Sequence, residues 1–281
     1  NLEYFYSFGG VGFSISAPGE FTEGENLTHF SAEKVLPGFQ IACSFKENFP
    51  TPEGTPALDT PYHTAWLSKD GEIHIRCSQR EDRPWPSCTW TRDGRTISMT
   101  WQPEFQSSLS SWQILQALEL YHLLLTEGGA VLHASYILFQ GRAILFSGPS
   151  GVGKSTQANL WAQYRNAEII NGDRVLLRRG PDGSMWAHGI CHSGTSGICR
   201  NQSAPLAAIV LLEQSKETEI HRLSGLAAFK LLLPQLPYRT WDPGDVTCAT
   251  QFLSELLTEK PALHLACRPD ESAVKSLEKY L

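Results

Sequence analysis

Eight consecutive residues constrain this chain more than any other stretch: Gly148-Pro149-Ser150-Gly151-Val152-Gly153-Lys154-Ser155. Glycines at 148, 151 and 153 permit a tight loop whose successive backbone N–H groups turn inward on an anion. Lys154 supplies a mobile point charge for the outer phosphates of a nucleotide, and the Ser155 hydroxyl is of the kind that ligates Mg²⁺. An apolar run at residues 143–146 enters the loop and a helical pattern at 154–164 leaves it. Strand, glycine loop, helix is the context that a polyphosphate cradle requires, and the helix adds the positive end of its dipole to the same site. Residues 148–155, together with Thr156, are therefore the expected nucleotide-binding residues.

Phosphoryl transfer from such a cradle needs an acid to hold the metal and a group to take the acceptor's proton. Asp173, at the end of a short apolar strand after the loop helix, is the candidate for both duties. Asn171-Gly172-Asp173 also reads as a hairpin turn. His133 is a second candidate, in the strand expected to pair with the one that enters the loop. The segment 192–201 is rich in Gly, Ser and Thr and carries Arg200, whose charge suits the transferred group or, equally, a plain surface loop.

The remainder divides in two. Residues 1–107 read as antiparallel β structure, with turn signals at Gly9-Gly10, Lys69-Asp70-Gly71 and Arg92-Asp93-Gly94. Trp, Phe, Thr and Ile fill the segments between these turns, and no titratable cluster there suggests chemistry. This half is expected to be structural or to dock a substrate. From residue 108 to 281 strands alternate with helices, giving an α/β domain. It opens with one helix over 111–126, where Ile114, Leu115, Leu118, Tyr121, Leu124 and Leu125 recur at helical spacing.

The composition excludes several classes. The chain of 281 residues is 41% hydrophobic, enough to bury a core, and its formal charge of -6 lacks the basic footprint of a nucleic-acid binder. No apolar run approaches the roughly 20 residues that span a bilayer, so no membrane association is expected. Residues 1–8 have no basic residue and no long apolar stretch, so no signal peptide is expected. Seven scattered cysteines, with no CxxC pair, suit a reducing compartment, and the cytoplasm is the expected location. Cys191-His192 with Cys199 lacks a fourth ligand at zinc-like spacing.

Leu132-His133-Ala134, Gln140-Gly141-Arg142, the loop at 148–155 and Asn171-Gly172-Asp173-Arg174-Val175 together resemble the catalytic domain of the HPr kinase/phosphorylase family. The resemblance covers residues 130–215. A weaker likeness to the HPr-kinase-like proteins of peptide-modification gene clusters continues to the C-terminus. It implies a P-loop domain of the phosphoenolpyruvate carboxykinase/HPr-kinase type with a mixed sheet, here preceded by a β-rich domain. It also implies ATP and Mg²⁺ as cofactors and a homo-oligomer. The family's histidine falls on His133 and its acid on Asp173. HPr kinases carry two adjacent aspartates where this chain has Gly172 and Asp173, so one carboxylate serves here or another residue helps.

The expected function is an ATP- and Mg²⁺-dependent kinase that phosphorylates a hydroxyl, serine foremost, of a peptide or small protein. Lys154, Asp173, His133 and Arg200 are its catalytic candidates, and Ser155 with Asp173 its metal ligands. The alternatives are a kinase of a metabolite alcohol such as free serine, and a nucleotide-binding scaffold without transfer.

Overall fold

The computed structural model describes residues 1–24, 26–33 and 38–281. They form two compact units, Asn1–Leu120 and Tyr121–Leu281.

In the first unit, eight strands make one sheet: β1 (Leu2–Phe8), β2 (Val11–Ala17), β3 (Phe39–Phe45), β4 (Leu58–Thr60), β5 (His63–Ser68), β6 (Gly71–Arg80), β7 (Arg83–Asp93) and β8 (Thr96–Trp101). Their spatial order is β1-β2-β3-β8-β7-β6-β5-β4. The three turn signals lie at hairpins. Gly9 and Gly10 take φ of 54° and 84°, the left-handed pair that a two-residue β1–β2 turn demands. The sheet is not wholly antiparallel, because β3 runs parallel to both β2 and β8. Tyr6, Phe8, Phe13, Phe30 and Phe39 are buried together, with Phe13 stacked on Phe39 at 5.2 Å.

The expected helix over 111–126 is two helices, α1 (Ser111–Ala117) and α2 (Leu120–Thr126). Ser110 and Gln113 close a capping box on α1. Glu119, at φ 55°, is left-handed, and its N–H turns back to the Gln116 carbonyl, which ends α1. Ile114, Leu115, Leu118, Leu124 and Leu125 are buried as their spacing suggests, Tyr121 is only half-buried, and Leu123, outside that set, is buried. The apolar spacing therefore reported most of the burial and said nothing about whether the axis was continuous.

The second unit holds β9 (Gly129–Phe139), β10 (Arg142–Ser147), α3 (Lys154–Arg165), β11 (Glu168–Asn171), β12 (Arg174–Arg179), β13 (Met185–His188), β14 (Ser203–Gln214), β15 (Glu219–Arg222), α4 (Gly225–Leu232), α5 (Pro243–Glu259), β16 (Leu263–Cys267) and α6 (Glu271–Glu278). It is a mixed α/β arrangement. The strands follow the order β10-β9-β12-β13-β14-β16-β15, with β11 added beside β9. β10 also pairs with β14 in parallel, which closes β9, β12, β13, β14 and β10 into a ring.

Two apolar layers follow from strand alternation. Ala143 and Leu145 of β10 join one cluster with α4 and α5, while Ile144 and Phe146 join another with α3 and α6. On β14 the register slips beside residue 207, so that Leu206 faces the first cluster and Ala208 the second. That bulge exchanges the faces of one strand between the two cores. Where α5 begins, buried Asp245 accepts from the Arg239 N–H at 2.7 Å and lies 2.7 Å from His122 Nδ1, tying α5 to α2.

Candidate functional site

The glycine loop lies at the end of β10. β9 flanks that strand on one side and parallel β14 on the other. Gly148, Gly151 and Gly153 take φ of 141°, 79° and 112°, conformations that L side chains avoid. No side chain caps α3 at Gly153, and the first helical N–H to turn back into the helix is that of Gln157, on Gly153 O. The amides that open α3 are thus left facing the loop, as an anion-binding helix start requires. Lys154 Nζ donates to the carbonyls of Gly148 and Pro149, both at 3.0 Å, so the ammonium is folded inside the loop. Burial holds its pKa below the ordinary lysine value.

Asp173 reaches this loop through strand pairing. β12 runs antiparallel to β9 with Arg174 opposite His133, and the Ala134 N–H donates to Asp173 O at 3.0 Å. Ser147, the last residue of β10, donates from its hydroxyl to His133 O at 2.8 Å. These bonds set the strand that feeds the loop against the strand bearing the histidine. His133, Ser150, Gly151, Gly153, Lys154, Ser155, Thr156, Gly172 and Asp173 line one depression of about 310 Å³, completed by Thr195 and Ser196.

Asp173 is held from three directions. His133 Nε2 lies 3.3 Å from Oδ1, while His192 Nε2 and Arg174 Nε lie 3.3 and 3.1 Å from Oδ2. The hydrogen bond from His192 is the main cause that brings its pKa down to about 2, with Arg174 and His133 adding to the effect against the opposing pull of burial. His133 moves down from its ordinary value: burial disfavours the imidazolium, and Lys154 and Arg174 repel it. At neutral pH the cluster therefore pairs an ionised carboxylate with a neutral imidazole.

Asn171 builds this arrangement. Its buried side-chain oxygen accepts from the backbone N–H groups of Asp173 and Arg174, each at 2.9 Å, which shapes the turn carrying the acid. Its side-chain nitrogen donates to the carbonyls of Ile190 and His192 at 3.1 and 2.8 Å, which brings in the second histidine. One side chain thereby anchors both segments.

Of the residues expected from the sequence, Ser150, Gly151, Gly153, Lys154, Ser155, Thr156, His133 and Asp173 come together in one depression, while Gly148, Pro149 and Val152 do not line it. Arg200 does not join them. It is about half exposed, and its guanidinium pairs with Glu168. Sequence reasoning missed Asn171 as an anchor and Arg174 as a neighbour of the acid. It singled out the segment 192–201 for Arg200, whereas the residues of that segment that reach the acid and its depression are His192, Thr195 and Ser196. Cys199 is in fact buried, with its pKa raised to about 11 by burial, and it donates to Ile190 O at 3.1 Å. For a metal, Ser155 and Asp173 offer oxygen donors in the same depression, the donor type that Mg²⁺ takes.

No family model matches the sequence. Curated relatives are similar over limited stretches. The thymidylate kinase of Bartonella quintana is 40% identical over 76 residues, covering 27% of this chain and 34% of that protein. The thymidylate kinase of Nitrobacter hamburgensis is 36% identical over 84 residues, covering 30% and 35%. The chain thus spans about a third of the length of the curated relatives it matches. Among solved structures, the HPr(Ser) kinase/phosphatase from Coxiella burnetii aligns with a TM-score of 0.30 at 12% identity, over 53% of this chain and 95% of that one. At that score the structural likeness carries no argument; the proteins sharing local sequence with this chain are kinases.

Proposed function

We propose that the chain is an ATP- and Mg²⁺-dependent kinase that phosphorylates a hydroxyl, serine foremost, on a peptide or small protein. The observation that carries this reading is the convergence of an anion cradle, a buried lysine and an ionised carboxylate beside a neutral imidazole, all within one depression. The amides of residues 148–155 would hold the triphosphate, and Lys154 would leave the carbonyls of Gly148 and Pro149 for the outer phosphates. Bound Mg²⁺ supplies charge neutralisation on the transferring group. Ser155 and Asp173 are its ligands in this reading.

The proton of the acceptor hydroxyl would pass to Asp173 or to His133, whose Nε2 lies 3.3 Å from it. In the free protein Asp173, near 2, is too weak a base to act alone. The negative charge of an arriving nucleotide would raise His133 towards the pH at which it can accept a proton, while Mg²⁺ on Asp173 would keep that carboxylate ionised. The β-rich first unit is the part of the chain suited to presenting a polypeptide acceptor.

A second reading, a kinase of a small molecule, is favoured by the local identity to proteins named thymidylate kinase. Two variants test the transfer site under either reading, and the choice of acceptor separates the readings. Lys154→Ala should abolish nucleotide-dependent phosphate transfer, and Asp173→Asn should keep ATP binding while losing transfer. ATP consumption driven by thymidylate or by a pool of metabolite alcohols, with none driven by peptides, would sink the peptide-kinase reading. Tight ATP binding with no phosphorylated product from any acceptor would leave a nucleotide-binding scaffold.

A further inference from the structure

The first unit contains a buried cluster that its sequence did not announce. His63 on β5, His74 on β6 and Glu119 at the end of α1 each bring one ligand-type atom within 4.8 Å of the others. His74 is fully buried and His63 nearly so. Their facing nitrogens, His63 Nε2 and His74 Nδ1, are 2.7 Å apart.

Three features fix the geometry. Trp90 stacks on His74 at 3.7 Å with the rings 5° from parallel, and its indole N–H donates to Ala117 O at 3.1 Å. One side chain therefore sets the imidazole ring and also holds the end of the helix that precedes Glu119. Glu119 itself keeps a left-handed φ of 55°, a conformation that a residue with a Cβ seldom adopts. On the far side of His74, Nε2 lies 3.1 Å from Glu72 Oε2, and Arg92 holds the other Glu72 oxygen at 3.4 Å. A carboxylate behind an imidazole, orienting its opposite nitrogen inward, is the outer-sphere arrangement of metal-binding histidines.

We propose that His63 Nε2, His74 Nδ1 and the Glu119 carboxylate form a binding site for a divalent transition metal, zinc foremost. Two imidazoles and one carboxylate match the ligand preference of Zn²⁺, whereas Ca²⁺ and Mg²⁺ take all-oxygen sets. A fourth, tetrahedral position falls to water. The site is separate from the kinase reading and does not depend on it.

The metal-free network states what binding requires. Arg76 Nη1 lies 2.7 Å from His63 Nδ1 and is donor only, so His63 carries its proton on Nε2 and points it at His74. Coordination moves that proton to Nδ1, so Arg76, which is half-buried, must turn away. Ligand nitrogens on one tetrahedral zinc stand about 3.3 Å apart, so the two rings also part by roughly half an ångström. No proton is released overall, because the neutral ring only changes tautomer. A second cluster of this kind among the described residues, His122 with Asp242 and Asp245, is committed elsewhere: Asp242 caps α5 and Asp245 accepts from the Arg239 N–H.

The test uses the full chain carrying Asp173→Asn, which removes the ion-binding carboxylate of the other unit. After treatment with a chelator, ZnCl₂ is titrated by calorimetry and CoCl₂ by visible absorption. One equivalent of Zn²⁺ is expected to bind, with tetrahedral Co²⁺ bands and no thiolate charge-transfer band. Glu119→Gln, which keeps the side-chain shape, should weaken binding by about 100-fold, at or beyond the upper end of the loss caused by outer-sphere changes. Arg76→Met, which leaves both rings in place, should bind at least as tightly as the parent. Circular dichroism confirms that each variant is folded. Absence of binding by the folded parent, equal affinity in Glu119→Gln, loss of affinity in Arg76→Met, or a thiolate band would each overturn the proposal.

Discussion

Ser196 fills the space that a side chain at residue 172 would need: a Cβ on Gly172 would stand 2.4 Å from the Ser196 hydroxyl oxygen and 2.7 Å from its Cβ. The turn bearing Ser196 is itself fixed, since its hydroxyl donates to Ser193 O and accepts from the Ile198 N–H. Gly172 is thus matched to the segment that covers Asp173. Gly172→Asp should destabilise the chain by about 1–3 kcal/mol through overpacking. Adding Ser196→Gly should recover most of that loss, as read from urea unfolding of the single and double variants.

The acidity of Asp173 depends first on His192. Its folded pKa of about 2 lies below the ordinary 3.8, so the stability it contributes is present above 3.8 and is lost as pH falls towards 2. His192→Ala should move the carboxyl upward within that interval and flatten the acid dependence of stability there. Carbon NMR titration of the aspartate carboxyls measures the shift directly. An Asp173 value unchanged in His192→Ala would show that Arg174 governs it instead.

Transfer should fail at low pH as His133 becomes charged. Its pKa is depressed below 6.5 by burial, then by Lys154 and Arg174, so the acid limb of kcat/KM should lie below pH 6.5. Arg174→Gln removes one of the repelling charges and should shift that limb upward. A pH–rate profile of the two proteins, with any acceptor that supports turnover, decides it.

Arg200 stands outside the depression on an exposed pair with Glu168. Exposed pairs contribute little, so Arg200→Ala should change turnover and unfolding midpoint only slightly, about twofold or less in rate. A loss comparable to that of Lys154→Ala would mean that the 192–201 segment swings inward during the reaction.

The sequence by itself determined the features made by neighbouring residues. The glycine loop, its entering strand and its leaving helix lie within 24 consecutive positions, and the left-handed glycines announce the turn directly. The β1–β2 hairpin is legible for the same reason, as is the last helix with Asp270 at its cap. The split of α1 from α2 was hidden because apolar spacing records which residues are buried, and both helices bury theirs.

Only the tertiary structure decided what surrounds the acid. His133, Asp173 and His192 are brought together by strand register and by Asn171, whose four hydrogen bonds join residues up to 21 positions away. The meeting of His63, His74 and Glu119 likewise depends on Trp90 bridging a strand to a helix end. Contacts of that kind are set by the closure of long loops around a packed core, and a chain read in order carries no local mark of which distant partners will meet.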